Sequence, residues 1–367
     1  MTAAQQRETP HSKRVLLVRL GSMGDIIHAL PVLTTLKENF PHWEVDWLVE
    51  RRWRGLLEGN PYLTRLLEFD TLGWRAAPFS SATWAEFGNA LRSLRQRHYD
   101  YALDLQGALK SAMACRASGA GQVIGFERPW LREPGASVFY TRRISPHATH
   151  IVDANLSLAE AVGAGRRVVS FPVPAGDDSA LPPELRDGDI GRQNIARQSF
   201  ARQTYVTINP GAGWLAKQWP AAGYAEICDQ IDLRYGFPIV INCGPGETAL
   251  AQEVRSACRR ARPVTFSGSL SGLIALLRRT RLMVGPDTGP LHLAAALGVP
   301  AVVLFGPTDP KRNGPYGNAH RNLRPEKAIT SHHHSGSRNG VMDQIRPSQV
   351  LEAIQELLQE QSPARIE

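Results

Sequence analysis

Little in this chain invites metal, disulfide or membrane-spanning chemistry. It has only four cysteines in 367 residues, Cys115, Cys228, Cys243 and Cys258, and their spacing matches no metal-ligand pattern. Three lie in apolar helix or strand patterns and Cys258 in an Arg-rich helix, so thiols in a reducing compartment are expected. No early apolar stretch is long enough for a signal peptide or a membrane span. The loop Gly21–Asp25 is not closed by Gly-Lys-Ser/Thr, which excludes a Walker phosphate loop. It also lacks the GxGxxG fingerprint of a dinucleotide dehydrogenase. Basic residues are scattered and no nucleic-acid motif appears, so nucleic acid is not an expected partner. His332, His333 and His334 sit in a Gly/Ser loop with no acidic or cysteine partner at a telling interval, and read as a solvated loop.

What is present fits a soluble two-domain chain. Hydrophobic residues make up 43% and charged residues 21%, an ordinary globular balance, and the length suits two cores rather than one. A net charge of +8 favours anionic partners, an anionic membrane surface among them. Short apolar runs alternate with helical patterns. In the first half, strands are expected at Val15–Leu20, Glu44–Val49 and Tyr99–Leu105. Helices are expected at Ile26–Asn39, Trp53–Leu57, Leu109–Ser118 and Asp153–Gly163. The pattern restarts with strands at Tyr205–Asn209, Pro238–Asn242, Leu282–Gly285 and Ala301–Phe305. Helices of this half are expected at Ala221–Tyr235, Thr248–Arg260, Ser271–Arg279, Pro290–Leu297 and Pro347–Gln359. Such alternation signals two doubly wound α/β domains, which bind ligands beyond the carboxyl ends of their strands. The expected order is a disordered tail (1–13), an N-terminal α/β domain (14–175), a Pro/Gly/Asp-rich linker (176–202), a C-terminal α/β domain (203–345) and a terminal helix (346–360).

The loops after the strands carry the chemistry. In Gly285-Pro-Asp-Thr-Gly-Pro-Leu-His292, Thr288 and Gly289 open a helix whose free N–H groups and dipole favour an anion such as a diphosphate. Asp287 is placed to accept from sugar hydroxyls or to act as a plain N-cap. His292 is placed to donate to a phosphate or to sit in the core. Lys217, in the glycine-bearing loop Asn209–Pro220, can neutralise charge on a departing diphosphate. Glu247 follows Gly244-Pro-Gly and suits ribose hydroxyls or a helix start. In the first half, Ser22 and Gly24 let the loop turn tightly and leave space for a ligand. Asp25 can take a proton from an attacking hydroxyl, although the helix dipole lowers its pKa; an N-capping role is the alternative. Lys110 at a helix start and Arg132 in a basic aromatic loop suit an acidic ligand, with Arg51, Arg52 and Arg54 as possible extensions.

Together these segments resemble glycosyltransferase family 9, the ADP-heptose:lipopolysaccharide heptosyltransferases, over about residues 14–360. The likeness rests on Arg19-Leu-Gly-Ser-Met-Gly-Asp25, Asp104-Leu-Gln-Gly107, Lys217-Gln-Trp-Pro220, Gly285–His292 and Gly306-Pro-Thr-Asp-Pro310, in that order. Within the family, Ser22–Asp25, Gln106–Ser111 and Arg132–Tyr140 are most similar to the branch that adds the first heptose to Kdo. The resemblance implies a GT-B fold with two Rossmann-like domains facing a central cleft, the first acceptor-binding and the second nucleotide-sugar-binding, with an inverting mechanism and no obligatory metal or other cofactor. It implies Asp25 as general base, with Ser22, Gly24, Lys110 and Arg132 toward a Kdo-lipid A acceptor. Lys217, Asp287, Thr288, Gly289 and His292 would hold ADP-heptose, with Glu247 near the ribose. Ala212 and Gly213 stand where the family often has Thr or Ser, so phosphate contacts there would be backbone only. A cytoplasmic protein, peripheral on the inner face of the membrane, is expected. Another family 9 specificity, or a GT-B protein that binds nucleotide or anionic lipid without transfer, are the competing readings.

Overall fold

The computed structural model describes residues 12–186, 204–330 and 340–361. The His332–His334 run, most of the expected 176–202 linker and nearly all of the expected tail lie outside these residues. The chain divides into two units, Met1–Pro172 and Val173–Glu367.

The first unit runs β1 (Arg14–Val18), α1 (Met23–Asn39), β2 (Glu44–Glu50), β3 (Arg65–Phe69), α2 (Thr71–Ala76), α3 (Ser81–Arg95), β4 (Tyr101–Asp104), α4 (Leu109–Ala117), β5 (Gln122–Phe126), β6 (Arg142–Ile144) and α5 (Ile151–Ala161). Its described strands form one parallel sheet in the order β3-β2-β1-β4-β5-β6. The chain therefore starts in the middle, winds outward through β2 and β3, then crosses back to β4. The direction reverses between β1 and β4, and that switch point opens a crevice beyond the strand ends. Val15, Leu16, Leu17 and Val18 are fully buried, as a strand covered by helices on both faces must be. Helix α1 begins earlier than the expected Ile26, because Asp25 Oδ2 reaches back to accept the Ser22 N–H at 3.0 Å and closes the first turn. The short helix expected at Trp53–Leu57 is a 3₁₀ turn, Arg51–Leu56.

The second unit contains α6 (Pro183–Arg186), β7 (Tyr205–Ile208), α7 (Ala221–Tyr235), β8 (Ile239–Asn242), α8 (Thr248–Ala257), β9 (Val264–Phe266), α9 (Leu270–Arg278), β10 (Thr280–Pro286), α10 (Gly289–Ala296), β11 (Ala301–Leu304), α11 (Pro310–Asn313), β12 (His320–Leu323) and α12 (Pro347–Glu360). Its described strands are again parallel, in the order β12-β11-β10-β7-β8-β9, so the switch point falls between β7 and β10. Trp219, Tyr224, Ile227 and Ile231 share one buried core with Val350, Ile354 and Leu357 of α12. The Trp219 Nε1–H donates to the Ile345 carbonyl at 2.9 Å and ties that helix down. All four cysteines are free, with Cys115, Cys228 and Cys243 buried.

Backbone approach at the second switch point is close. A Cβ on Gly285 would lie 2.5 Å from the Asn209 carbonyl oxygen, whereas one on Gly213 would meet nothing within 4 Å. Gly285→Ala must push β10 from β7, and overpacking of this kind costs about 1–3 kcal/mol. Urea unfolding should show that loss for Gly285→Ala and a change below about 0.5 kcal/mol for Gly213→Ala.

Candidate active site

In the second unit the site is built around one buried carboxylate. Asp287, 6% exposed, follows β10 directly. Its Oδ2 accepts from Lys217 Nζ at 2.7 Å and from Thr308 Oγ1 at 2.8 Å, and its Oδ1 is bonded by His292 Nε2 at 2.9 Å. Lys217 also donates to the Asp287 carbonyl at 3.0 Å and lies over the Trp214 ring. Burial raises the Asp287 carboxyl, but the His292 and Lys217 contacts outweigh it and hold it far below the usual carboxylate range. Asp287 is thus an anion whose oxygens are already taken up by three protein side chains. In this structure the carboxylate expected to accept from a sugar also fixes the directions of Lys217, His292 and Thr308. Thr308 was not singled out as a site residue, because nothing local couples it to a carboxylate on the preceding strand.

The neighbouring groups leave donors unspent. Thr288 precedes α10 in extended conformation, and its hydroxyl donates to the Pro286 carbonyl at 3.2 Å. Among the described residues the Thr288 and Gly289 N–H groups make no hydrogen bond, and both residues are half-buried. A helix start with open N–H groups beside a lysine favours an anion. Further along the sheet, Glu247 Oε2 accepts the Gly244 N–H at 2.8 Å. Its carboxyl lies so close to Gly211 that a Cβ there would stand 2.1 Å from it. Glu247 therefore joins the loops after β7 and β8. Asn242 Nδ2 donates to Asn209 Oδ1 at 2.6 Å and locks the same two strand ends together.

In the first unit the loops after β1 and β4 meet at the switch point. Leu20 N–H donates to Gln106 Oε1 at 2.9 Å, and Arg19 Nη1 donates to the Leu105 carbonyl. Arg19 Nη2 lies 2.7 Å from Asp25 Oδ2, with side chains 10% and 36% exposed respectively. The same Oδ2 accepts from Ser22 N–H and from Ser22 Oγ at 2.9 Å. All three donors converge on Oδ2, and Oδ1 has no partner among the described residues. Burial raises the Asp25 carboxyl, but the Arg19 charge, the Ser22 N–H and the nearby His28 bring it down to about 2. Asp25 is at the third helical position, so it closes the helix and still presents one ionised oxygen. Gly24 is buried beneath that turn and Ser22 is exposed.

Asp104, at the end of β4, organises the second loop. Fully buried, it accepts from the Gln106 and Gly107 N–H groups at 2.9 and 3.0 Å, Ser111 Oγ at 3.0 Å and Tyr140 Oη at 2.7 Å. Gly107 adopts a φ of +67°, and a Cβ there would press on Leu131 at 3.0 Å. The Glu133 N–H donates to the Gly107 carbonyl at 3.0 Å, and the Glu133 carboxylate accepts the Leu109 N–H at 2.7 Å. This pins the Arg132 segment to the start of α4. The Lys110 ammonium is pulled below its ordinary range by partial burial and, against the pull of Glu50, by Arg75, Arg132 and Arg52. These four cations form one patch, and none has an ion pair among the described residues. Arg75 was not foreseen there. Arg51 and Arg54, expected to extend the patch, are instead occupied by Asp70, Glu58, Glu68 and Glu86.

A parallel-sheet unit that offers an ionised carboxylate, and a second that offers a lysine beside a helix start with open N–H groups, have the chemistry a group transfer calls for. The profile of glycosyltransferase family 9 (heptosyltransferase) matches residues 88–341, more than half of the chain. The protein belongs to glycosyltransferase family 9 and is a glycosyltransferase. It is 33% identical over 315 residues to lipopolysaccharide heptosyltransferase 1 of Pseudomonas aeruginosa, covering 84% of this chain and 83% of that protein. Among solved structures it is similar to the Escherichia coli heptosyltransferase WaaC with ADP, at a TM-score of 0.73 and 27% identity, over 94% of this chain and 99% of that one. The same enzyme with ADP-2-deoxy-2-fluoro heptose matches at a TM-score of 0.72 and 25% identity, over the same shares of the two chains. The two parallel α/β domains are thus those of the GT-B heptosyltransferases.

The Asp287 cluster makes a stability prediction. Asp287→Ala leaves the nearly buried Lys217 without its counter-ion, and breaking such a pair costs about 3–5 kcal/mol. The carboxyl is depressed in the folded state, so its contribution is complete above the unfolded value of about 3.9 and shrinks as pH falls below it. Denaturant unfolding of wild type and variant should differ most at neutral pH, with the gap narrowing below about pH 4.

Proposed function

We propose that the protein moves heptose from ADP-heptose onto the Kdo sugar of the lipid A inner core, the reaction of heptosyltransferase I, with inversion at the anomeric carbon. The observation that carries the mechanism is the one-sided engagement of Asp25, whose Oδ2 is saturated by Arg19 and Ser22 while Oδ1 stays open. The heptosyltransferase names of the relatives support the sugar.

The acceptor hydroxyl attacks the anomeric carbon, and its proton passes to Asp25 Oδ1. The bond from that carbon to the diphosphate oxygen breaks, and its electron pair leaves with ADP. The developing charge is met by Lys217 and by the open N–H groups of Thr288 and Gly289. Asp287 acts through Lys217 and His292 by fixing where they point. Glu247, on the loops after β7 and β8, lies where a ribose would be read in such a fold. Lys110 and Arg132, joined by Arg52 and Arg75, are the side chains that would receive the carboxylates of Kdo. The lysine and the helix start supply the positive charge that a leaving diphosphate needs, which supports a reaction without an obligatory metal. The reading places the enzyme in the cytoplasm against the inner membrane face. No helix among the described residues is long and apolar enough to cross a membrane.

The test is a donor and acceptor matrix with purified protein, reading ADP release and product mass. Transfer from ADP-heptose to Kdo-lipid A should exceed transfer from ADP-glucose by at least about 100-fold and should persist with EDTA, as expected for charge stabilisation by protein groups. Preference for an acceptor already carrying one heptose would replace the proposal with a heptosyltransferase II-like specificity. ADP-heptose binding without ADP release on any acceptor would replace it with a non-catalytic binding protein.

A further inference from the structure

The helical hairpin α2–α3 of the first unit shows an apolar surface that the reaction does not use. Phe79 is 97% exposed, Trp84 64% and Leu72 51%. Phe87, three residues beyond Trp84, lies on the same side of α3 and is also exposed. No residue of α2 is buried, and in α3 only Leu94 is. Yet the hairpin is held firmly at its base. Glu50 accepts the Thr71 N–H and hydroxyl at 2.6 and 2.8 Å. Arg51 joins Asp70 to Glu86, and Trp74 packs between Phe69 and Phe87. At the tip, Trp84 Nε1–H donates to the Pro78 carbonyl at 3.1 Å and Thr83 Oγ1 to the Ala77 carbonyl at 2.8 Å, which fixes the turn that carries Phe79. These are ordered apolar side chains presented outward.

The hairpin's own charge is net positive once the pairing of Asp70 and Glu86 by Arg51 is set aside. Residues 71–95 contain Arg75, Arg92 and Arg95 against the single acid Glu86, which Arg51 already pairs. Arg75, Arg92 and Arg95 have no ion pair among the described residues. Arg75 is also within electrostatic reach of Lys110, and α3 packs beside α4, which carries Lys110. Protruding aromatic and aliphatic side chains on a hairpin whose arginines have no ion pair among the described residues have the composition of an interfacial membrane anchor.

We propose that α2–α3 is the membrane-docking element, inserting Leu72, Phe79 and Trp84 at the lipid–water interface of an anionic bilayer with its arginines at the head groups. This deepens the peripheral attachment of the proposed function by naming the surface responsible, and it rests on the acceptor being a lipid. The full chain should sediment with vesicles of phosphatidylethanolamine and phosphatidylglycerol, and much less with phosphatidylcholine. Phe79→Ser with Trp84→Ser should weaken vesicle binding at least about tenfold, since two large apolar groups no longer leave water. The variant should keep its unfolding midpoint and its turnover on a deacylated, water-soluble Kdo acceptor. Vesicle binding equal to wild type in the variant, or no vesicle binding by wild type, overturns the proposal. So does a wild-type self-association that the variant loses, since a second copy would then be the occupant. Failure of wild type to turn over the soluble acceptor while it still binds vesicles sinks the acceptor assignment and leaves the docking surface standing.

Discussion

A charge taken out of water must be paired, and each unit of this protein resolves that constraint at the switch point of its sheet. In the first unit Arg19 is the buried partner and Asp25 the more open one, 2.7 Å apart. In the second the roles reverse: Asp287 is the more deeply buried and Lys217 the more accessible, again at 2.7 Å. Neither pair is a surface salt bridge of small worth. Each holds one charged group in a fixed direction and leaves its neighbourhood with a defined sign. The first pair presents a carboxylate oxygen, and the second presents a cation beside open helix N–H groups.

The same topology therefore suits both sides of the proposed transfer. A 3-2-1-4-5-6 order of parallel strands puts two loops side by side beyond the central strands. Cross-loop bonds then fix them: Leu20 and Arg19 to Gln106 and Leu105 in one unit, and Lys217 to Asp287 in the other. Asp104 shows the same economy, since one buried carboxylate collects four donors and so shapes the loop that carries Lys110. The depressed Asp25 carboxyl has a consequence for catalysis. A carboxylate held at about 2 is ionised at every working pH but weakly basic, so in the proposed reaction its effect as a base would depend on position rather than on basicity.

The parts that were legible in the sequence are those the fold buries most completely. β1, β2, β7, β8, β10 and β11 are nearly wholly buried and rich in aliphatic residues because helices cover both faces, even where β2 carries Asp46 and β10 opens on Thr280 and Arg281, and the loops that end them could be read as ligand sites. The edge strands β3 and β6 were not legible: one is half-exposed and the other begins with two arginines. β9 is three residues long, and β12, on the other edge, is polar. The α2–α3 hairpin buries almost nothing, so it lacks the apolar stripe that marks a packed helix. Among the candidate site residues, Asp25, Lys217, Asp287 and His292 stand out in the sequence by their place in the loops after strands. The sharing of one carboxylate by Lys217, His292 and Thr308 does not, because those contacts span 70, 5 and 21 residues. The position of Arg75 was hidden for the same reason, since long-range geometry decides which arginines are taken by acids, as Arg51 and Arg54 are, and which are not.

The central claim is that the open oxygen of Asp25 receives the acceptor proton. Asp25→Asn preserves the side-chain shape while removing the charge, so the measurement is single-turnover transfer alongside ADP-heptose binding by calorimetry. The account predicts a loss of about 10²- to 10⁴-fold in the transfer rate with donor affinity within about threefold of wild type. A variant that transfers heptose at nearly the wild-type rate would contradict it.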